Sequence, residues 1–188
     1  KKKDITEHEV VVAMCSLMST DGVQSDIAAY LTALHEKGET PLEIATSARV
    51  MRTFATKPFS EEQRRQFDSL ESIDCCGTGG GINLFNVSTV VALILAAGGL
   101  YVAKHGNRAI TSQSGSADFL EALGIKIDIP AERVGACILT HRMGFLFAPL
   151  FHAATKNVQQ VRRQLPHKTI FNILGPLTNP AQPRYQVI

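Results

Sequence analysis

The stretch at 73–106, IDCCGTGGGINLFNVSTVVALILAAGGLYVAKHG, decides the fold. Ile73-Asp74-Cys75-Cys76 reads as the end of a strand, and the glycine-rich loop GTGGG at 77–81 follows at once. Asn86-Val87-Ser88-Thr89 opens an apolar run that reads as a buried helix over 88–97. After Gly98-Gly99, Tyr101-Val102-Ala103-Lys104 reads as the next strand. Strand, loop, helix and strand in this order predict an α/β domain with a mainly parallel central sheet.

Downstream, a polar loop covers 105–116, and 117–123 reads as a helix ended by Gly124. Short apolar runs at 125–129 and 135–139 read as further strands. Upstream the texture is helical. Thr6 and Glu9 have capping-box spacing before Val10, Ala13, Met14 and Leu17. Asp21-Gly22 reads as a turn and Ser25 as the cap of a second helix, with Gly38 at its far end. Thr40-Pro41 with Glu43 starts a third. Three short amphipathic helices cannot bury their apolar faces separately, so they pack on one another, on later chain or on a second copy. Residues 57–72, with Pro58, read as a connector holding a short helix. The expected division is a helical domain at 1–70 and an α/β domain at 71–188.

The 188 residues are 45% hydrophobic and 19% charged, which excludes a disordered or collagen-like chain. The net charge of +2 is too mild to signal nucleic acid. It hides an asymmetry: residues 1–73 carry 9 Lys/Arg and 12 Asp/Glu, while residues 74–188 carry 10 and 5. No acidic residue follows Glu132. A cationic second half suits an anionic small molecule. The four cysteines form no CxxC pair, so neither a zinc site nor a disulfide framework is expected, and the usage fits a reducing cytoplasm. The basic start Lys1-Lys2-Lys3 leads into an amphipathic helix rather than the apolar core of a signal peptide. The longest apolar stretch, 87–100, contains Ser88 and Thr89 and is too short to cross a membrane.

Four segments carry candidate chemistry. The GTGGG loop lets backbone N–H groups approach phosphate oxygens, and the helix opened by Asn86 adds donors, a favourable dipole and the hydroxyls of Ser88 and Thr89. It is neither a P-loop, since no GK[ST] follows, nor a dinucleotide fingerprint, whose glycine spacing differs. The plain alternative is a tight turn packed on the sheet. The second segment runs from Lys104-His105-Gly106-Asn107-Arg108 to Ser114-Gly115-Ser116 at a strand's carboxyl end, where open α/β sheets bind ligands. Its plain alternative is a solvated loop whose serines cap a helix. The third is His152 with Lys156, Arg162 and Arg163, where an Arg suits a carboxylate and the alternative is a solvated basic face. The fourth is 172–180, NILGPLTNP, which is rich in turn residues.

Together these segments resemble the anthranilate phosphoribosyltransferases, the tryptophan-pathway members of the nucleoside phosphorylase-like transferases. LTALHEKGETPLEIA at 31–45, GTGG at 77–80, NVST at 86–89, KHGNR at 104–108, SGSAD at 114–118, LEALG at 120–124 and KTIFNILGPLTNP at 168–180 match its runs in order. The resemblance implies transfer of phosphoribosyl from phosphoribosyl pyrophosphate (PRPP) to anthranilate, releasing pyrophosphate, with Mg²⁺ as cofactor. It implies that Gly77, Thr78, Gly79, Gly80, Asn86, Ser88, Thr89, Lys104, Asn107 and Ser116 bind PRPP, with Ser88 also a metal ligand. Gly77, His105, Asn107, His152, Arg162 and Gly175 would bind anthranilate. The helical domain would form a homodimer, and no residue is expected to act as acid or base.

This chain departs from the family pattern in several places. The family loop reads GTGGD, whereas Gly81 here is followed by Ile82 and the segment is one residue short. Leu84 stands where the family often has Thr, and the family's His-Pro-Ala-Met run is His152-Ala153-Ala154-Thr155. The family's metal-binding Asp-Glu pair lies beyond Pro180, where this chain has no carboxylate, and Tyr185-Gln186-Val187-Ile188 reads as a strand cut midway. An incomplete enzyme is therefore expected. The other readings are a pyrimidine nucleoside phosphorylase of the same fold, against which KHGNR argues, and a truncated non-catalytic homologue.

Overall fold

The computed structural model describes residues 3–19, 23–77, 86–109 and 114–188. The expected Asp21-Gly22 turn lies outside them. Helices α1 (Glu7–Met18), α2 (Gln24–Lys37), α3 (Pro41–Thr53) and α4 (Glu61–Asp68) come first. Strand β1 (Ser72–Cys75), helix α5 (Val87–Ala97) and strand β2 (Tyr101–Gly106) form the expected parallel unit. Helices α6 (Ser116–Ala122) and α7 (Ala131–His141) precede strand β3 (Met143–Phe147). Then come α8 (Ala148–Phe151), a 3₁₀ turn (Ala153–Thr155), α9 (Lys156–Arg162), α10 (Phe171–Leu177) and strand β4 (Tyr185–Val187).

Helix starts are set by local chemistry. The Thr6 hydroxyl accepts the Glu9 N–H at 3.3 Å while the Glu9 carboxylate accepts the Thr6 N–H at 2.7 Å. Thr40 and Glu43 repeat this at 3.3 and 2.8 Å, with Pro41 in the first turn. The short helix expected in the connector is α4, whose box is Ser60 with Gln63. Ser25 is not the cap of α2. The Val23 carbonyl already accepts from Asp26 and Ile27, so the helix has begun before Ser25, whose hydroxyl turns to the Asp26 carboxylate. Gly38 ends α2 with φ of 84°, a conformation costly for residues with a Cβ.

The chain forms two compact units, and they are not the contiguous stretches 1–70 and 71–188. One is residues 1–55 with 152–178, and the other is 56–151 with 179–188. In the helical unit, Val10 and Met14 of α1, Ile27 and Leu31 of α2, and Ala48 of α3 share a core with Val158 and Val161 of α9 and Leu174 of α10. The apolar faces of the first three helices are thus partly covered by later chain. Helix α4 belongs with the α/β unit, where Phe67 is buried with Phe59, Val134 and Ile138.

The α/β unit holds four parallel strands in the order β3-β2-β1-β4. The chain leaves β1 toward β2 on one side and later returns to β4 on the other. In open α/β sheets with such a reversal, ligands bind beyond the carboxyl ends of the strands beside it, here β1 and its neighbours.

Two expected strands are absent. Residues 125–129 take no strand partner. They leave α6 through Gly124 at φ 79°, whose N–H reaches the Glu121 carbonyl while that of Ile125 reaches the Leu120 carbonyl. Of the alternating isoleucines only Ile127 is buried, against Leu120 and Phe145. Residues 135–139 lie inside α7, because Val134 and Ile138 recur at helical spacing toward the core. A Cβ on Gly135 would meet the Pro58 carbonyl oxygen at 1.9 Å, so α7 needs a glycine there. Strand β3, MGFLF, is a short apolar run that periodicity alone left unassigned. Helix α5 is covered on one face only: Thr89 and Ala92 are buried while Val87, Val91 and Ile94 are exposed. The turn-rich 172–180 segment is largely α10.

Candidate active site

The carboxyl ends of β1 and β2 bring together the cations, hydroxyls and amides singled out by sequence. The two strands pair through Ile73↔Val102 and then separate. Into the opening comes the Asp74 side chain, whose carboxylate accepts the His105 N–H at 3.2 Å in place of a ladder carbonyl. Lys104 Nζ donates to the Cys75 carbonyl at 2.6 Å and to Ser88 Oγ at 3.3 Å, at the start of α5. Lys104 is 1% exposed and Asp74 is 0% exposed. Burial pushes the Lys104 ammonium down and the Asp74 carboxyl up, and their mutual attraction opposes both shifts. Cys76 is pushed up to about 12, chiefly by burial and then by Asp74, so it is no thiolate nucleophile near neutral pH.

Asn86 precedes α5 and donates from Nδ2 to Ser114 Oγ at 3.0 Å, which joins the NVST and SGS segments. The Asn107 carbonyl accepts from Ser116 Oγ and from the Ala117 N–H, both at 3.2 Å. Ser116 is thus the first residue of α6 rather than its cap, which is Gly115. This closure is tight. A Cβ on Gly106 would meet Ser116 Oγ at 2.2 Å, and one on Gly115 would meet the Ala109 nitrogen at 2.4 Å. His105 is buried on β2, and Gly77 is exposed just after β1. Thr89 is fully buried, and its hydroxyl has no partner among the described residues. Thr78, Gly79 and Gly80, with the Gly81 and Leu84 departures, lie outside the described residues.

The other three site residues fall in the helical unit. His152 is buried, and its carbonyl accepts the Thr155 hydroxyl at 2.8 Å. Arg162, at the end of α9, is half-buried. Its guanidinium lies 5.5 Å from the Phe171 ring centroid and donates to Asn172 Oδ1 at 3.2 Å. Burial lowers its pKa, and among the described residues no charged partner offsets it. A cation placed so can receive an anionic group. A Cβ on Gly175 would meet nothing within 4 Å, so packing among the described residues does not require that glycine.

Sequence reading missed Asp74 and Asn179. Asn179 donates to the Ala103 carbonyl at 2.8 Å and hydrogen-bonds Asp74, and Gln186 of β4 donates to Asp74 at 3.2 Å. Asp74 thereby ties three strand ends, a role that appears only once the sheet order is known. For a cation, the described residues offer the Ser88 hydroxyl, which already faces an ammonium, and no group of three or more His, Cys, Asp or Glu side chains that could hold a metal. They do not make a magnesium site by themselves.

Residues 1–55 match the helical bundle domain of the glycosyl transferase family, and residues 69–188 match its a/b domain. The chain belongs to this glycosyl transferase family. Among curated members of this glycosyl transferase family, it is 50% identical to the anthranilate phosphoribosyltransferase of Chloroflexus aurantiacus over 100% of its own length and 53% of that protein. The Alkaliphilus metalliredigens enzyme of the same name is 47% identical over 100% of this chain and 54% of that one. The crystal structure of anthranilate phosphoribosyltransferase from Thermus thermophilus matches with a TM-score of 0.88 and 44% identity, covering 99% of this chain and 55% of the other. The Saccharomyces cerevisiae enzyme in complex with PRPP and Mg matches with a TM-score of 0.75 and 29% identity, over 93% of this chain and 49% of that one. The chain spans about half the length of the curated relatives it matches.

Proposed function

We propose that the intact protein is an anthranilate phosphoribosyltransferase, transferring phosphoribosyl from PRPP to the anthranilate amine to give N-(5-phosphoribosyl)anthranilate and pyrophosphate in tryptophan biosynthesis. The observation that carries the reading is the meeting of Lys104, Ser88, Asn86 and Ser114 at the carboxyl ends of the strands, beside the start of α5. Polar donors gathered at a helix N-terminus and a strand end suit the phosphates of PRPP. Displacement at the anomeric carbon leaves negative charge on pyrophosphate. Lys104 and the N–H groups near Gly77 and α5 are proposed to stabilise it as it develops. Asn86, Ser88, Thr89, Asn107 and Ser116, with Thr78, Gly79 and Gly80, complete the proposed PRPP set. Thr89, buried in the first turn of α5, is proposed to act in this set by packing the helix end that carries Ser88.

Anthranilate is proposed to contact Gly77, His105, Asn107, His152, Arg162 and Gly175, as the family resemblance implies. Arg162 would take the carboxylate, which fits its half-buried, unneutralised guanidinium. An aromatic amine is nucleophilic when neutral, so placement rather than a strong base is the protein's task. Magnesium belongs to the proposal as a companion of the pyrophosphate, in line with the yeast relative bound to PRPP and Mg, and Ser88 would be one of its ligands. A homodimer through the helical unit is part of the same reading, supported by exposed Val12 on α1 and Leu42 on α3. Cytoplasmic residence is supported by four free cysteines.

The test is to mix the intact protein with PRPP, Mg²⁺ and anthranilate and follow the loss of anthranilate fluorescence. Turnover that requires PRPP supports the proposal. Absence of turnover, or phosphorolysis of uridine instead, would overturn it.

A further inference from the structure

Asp118 sits in the SGSAD run without any role in the reading above. Its Oδ2 accepts the Gly115 N–H at 2.8 Å and the Ala109 N–H at 3.0 Å, so one oxygen gathers both described flanks of the loop. Its Oδ1 accepts from Arg108 at 3.2 Å. Arg108 also makes two hydrogen bonds to the Glu121 carboxylate, one of them at 2.8 Å, and lies 5.6 Å from the Phe147 ring centroid. Asn107 lies two residues before the first anchor, Ala109, Ser114 immediately before the second, Gly115, and Ser116 immediately after it.

We propose that Asp118 is the positioning residue of the anion-binding loop, holding Asn107, Ser114 and Ser116 in register, with Arg108 and Glu121 as its outer brace. The proposal rests on the phosphoribosyl reading of that loop. The N–H groups of Ala109 and Gly115, and then Arg108, outweigh burial and hold the Asp118 carboxyl below its ordinary range, so it is an acceptor at neutral pH. Arg108 shares the KHGNR run with Lys104, yet it is not placed to act as a second phosphate cation. Its donors are instead spent on two carboxylates and its face on an aromatic ring. Substituting it therefore acts through loop order rather than through lost charge at the ligand.

The geometry also explains why glycine stands at 106 and 115. A Cβ on Gly115 would enter the space between the two flanks that Asp118 joins, 2.4 Å from the Ala109 nitrogen, and one on Gly106 would meet Ser116 Oγ and the Phe145 ring below 3.0 Å. With the brace removed, the hydroxyl of Ser116 and the amide of Asn107 lose their fixed spacing. Binding of a ligand that needs both then weakens, while a ligand that needs neither is unaffected.

The test uses Asp118→Ala, Asp118→Asn and Glu121→Gln in the intact protein, with two readouts. Hydrogen exchange without substrate should show the Gly115 and Ala109 amides of Asp118→Ala exchanging about tenfold faster or more, with β2 and β3 amides unchanged. Steady-state kinetics should show its PRPP KM raised about tenfold and its anthranilate KM changed less than about twofold. Asp118→Asn, which keeps one acceptor oxygen, should fall between, and Glu121→Gln should show the smallest PRPP effect. Unchanged exchange at Gly115 and Ala109 would overturn the positioning role. Faster exchange with equal rises in both KM values, or none, would overturn its link to the anion loop. If the unsubstituted protein fails to use PRPP, the phosphoribosyl reading falls and the exchange data still decide the brace. Should Asp118→Ala not fold, Asp118→Asn is judged by the same criteria.

Discussion

Lys104 of the α/β unit and Arg162 of the helical unit are both cations in the proposed machinery, and their surroundings differ in kind. Lys104 is enclosed, with hydrogen bonds to Cys75 and Ser88 and the Asp74 charge nearby. Among the described residues, Arg162 has the Asn172 hydrogen bond, the Phe171 ring face and no charged partner. A cation compensated from within serves stability as well as any ligand. A cation left uncompensated at partial burial is set for an anion that arrives from outside. The two units therefore contribute differently: one a pre-set, internally balanced strand end, the other an open charge.

The largest effect is expected from Lys104→Met. It should lower kcat/KM for PRPP by about 100-fold or more and reduce stability by about 1–3 kcal/mol, because the buried Cys75 carbonyl loses its donor. Denaturant melts and kinetics check both. Adding Asp74→Asn, which removes the buried carboxylate near Lys104, should restore part of the stability and none of the activity. Arg162→Ala comes next. It should raise the anthranilate KM about tenfold, the worth of a charge-assisted hydrogen bond, without a comparable loss of stability. Equal destabilisation by Lys104→Met and Arg162→Ala would break the comparison.

Smaller effects probe packing in each unit. Gly135→Ala should cost about 1–3 kcal/mol by driving a methyl into the Pro58 carbonyl, with both KM values unmoved. Thermal melts of the variant check it. In the helical unit, burial raises the Glu43 carboxyl, but the Thr40 and Ile5 N–H groups and the Lys37 ammonium outweigh it, leaving its pKa lowered. A depressed folded-state pKa gives stability that is present above the unfolded value, about 4.3, and is lost as pH falls through the folded one. The expected outcome is a loss of helical-unit stability below about pH 4 that Glu43→Gln flattens, read by circular dichroism across an acid titration.

Local chemistry was legible in the sequence. The Thr6–Glu9 and Thr40–Glu43 boxes depend on residues three apart, so their spacing predicted them. The βαβ unit at 72–106 followed from glycines bounding one apolar helix. Non-local features were not legible. Alternation at 125–129 suggested a strand, yet no neighbouring strand edge accepts that segment, and Ile125 serves the closing turn of α6. The apolar residues of 135–139 belong to α7 because they face β3 and the 58–67 segment, which no short window reveals. At the site, Lys104 was readable as a cation at a strand end, but its enclosure by Asp74 and Cys75 depends on where β1 and β2 part. Asp74 and Asn179 become functional candidates only through that geometry.

The most direct test of the central claim measures KM for PRPP and for anthranilate in Lys104→Met and Arg162→Ala of the intact protein, side by side. The account predicts a crossed result: Lys104→Met impairs PRPP use far more than anthranilate binding, and Arg162→Ala does the reverse. Parallel losses for both substrates in both variants would contradict it.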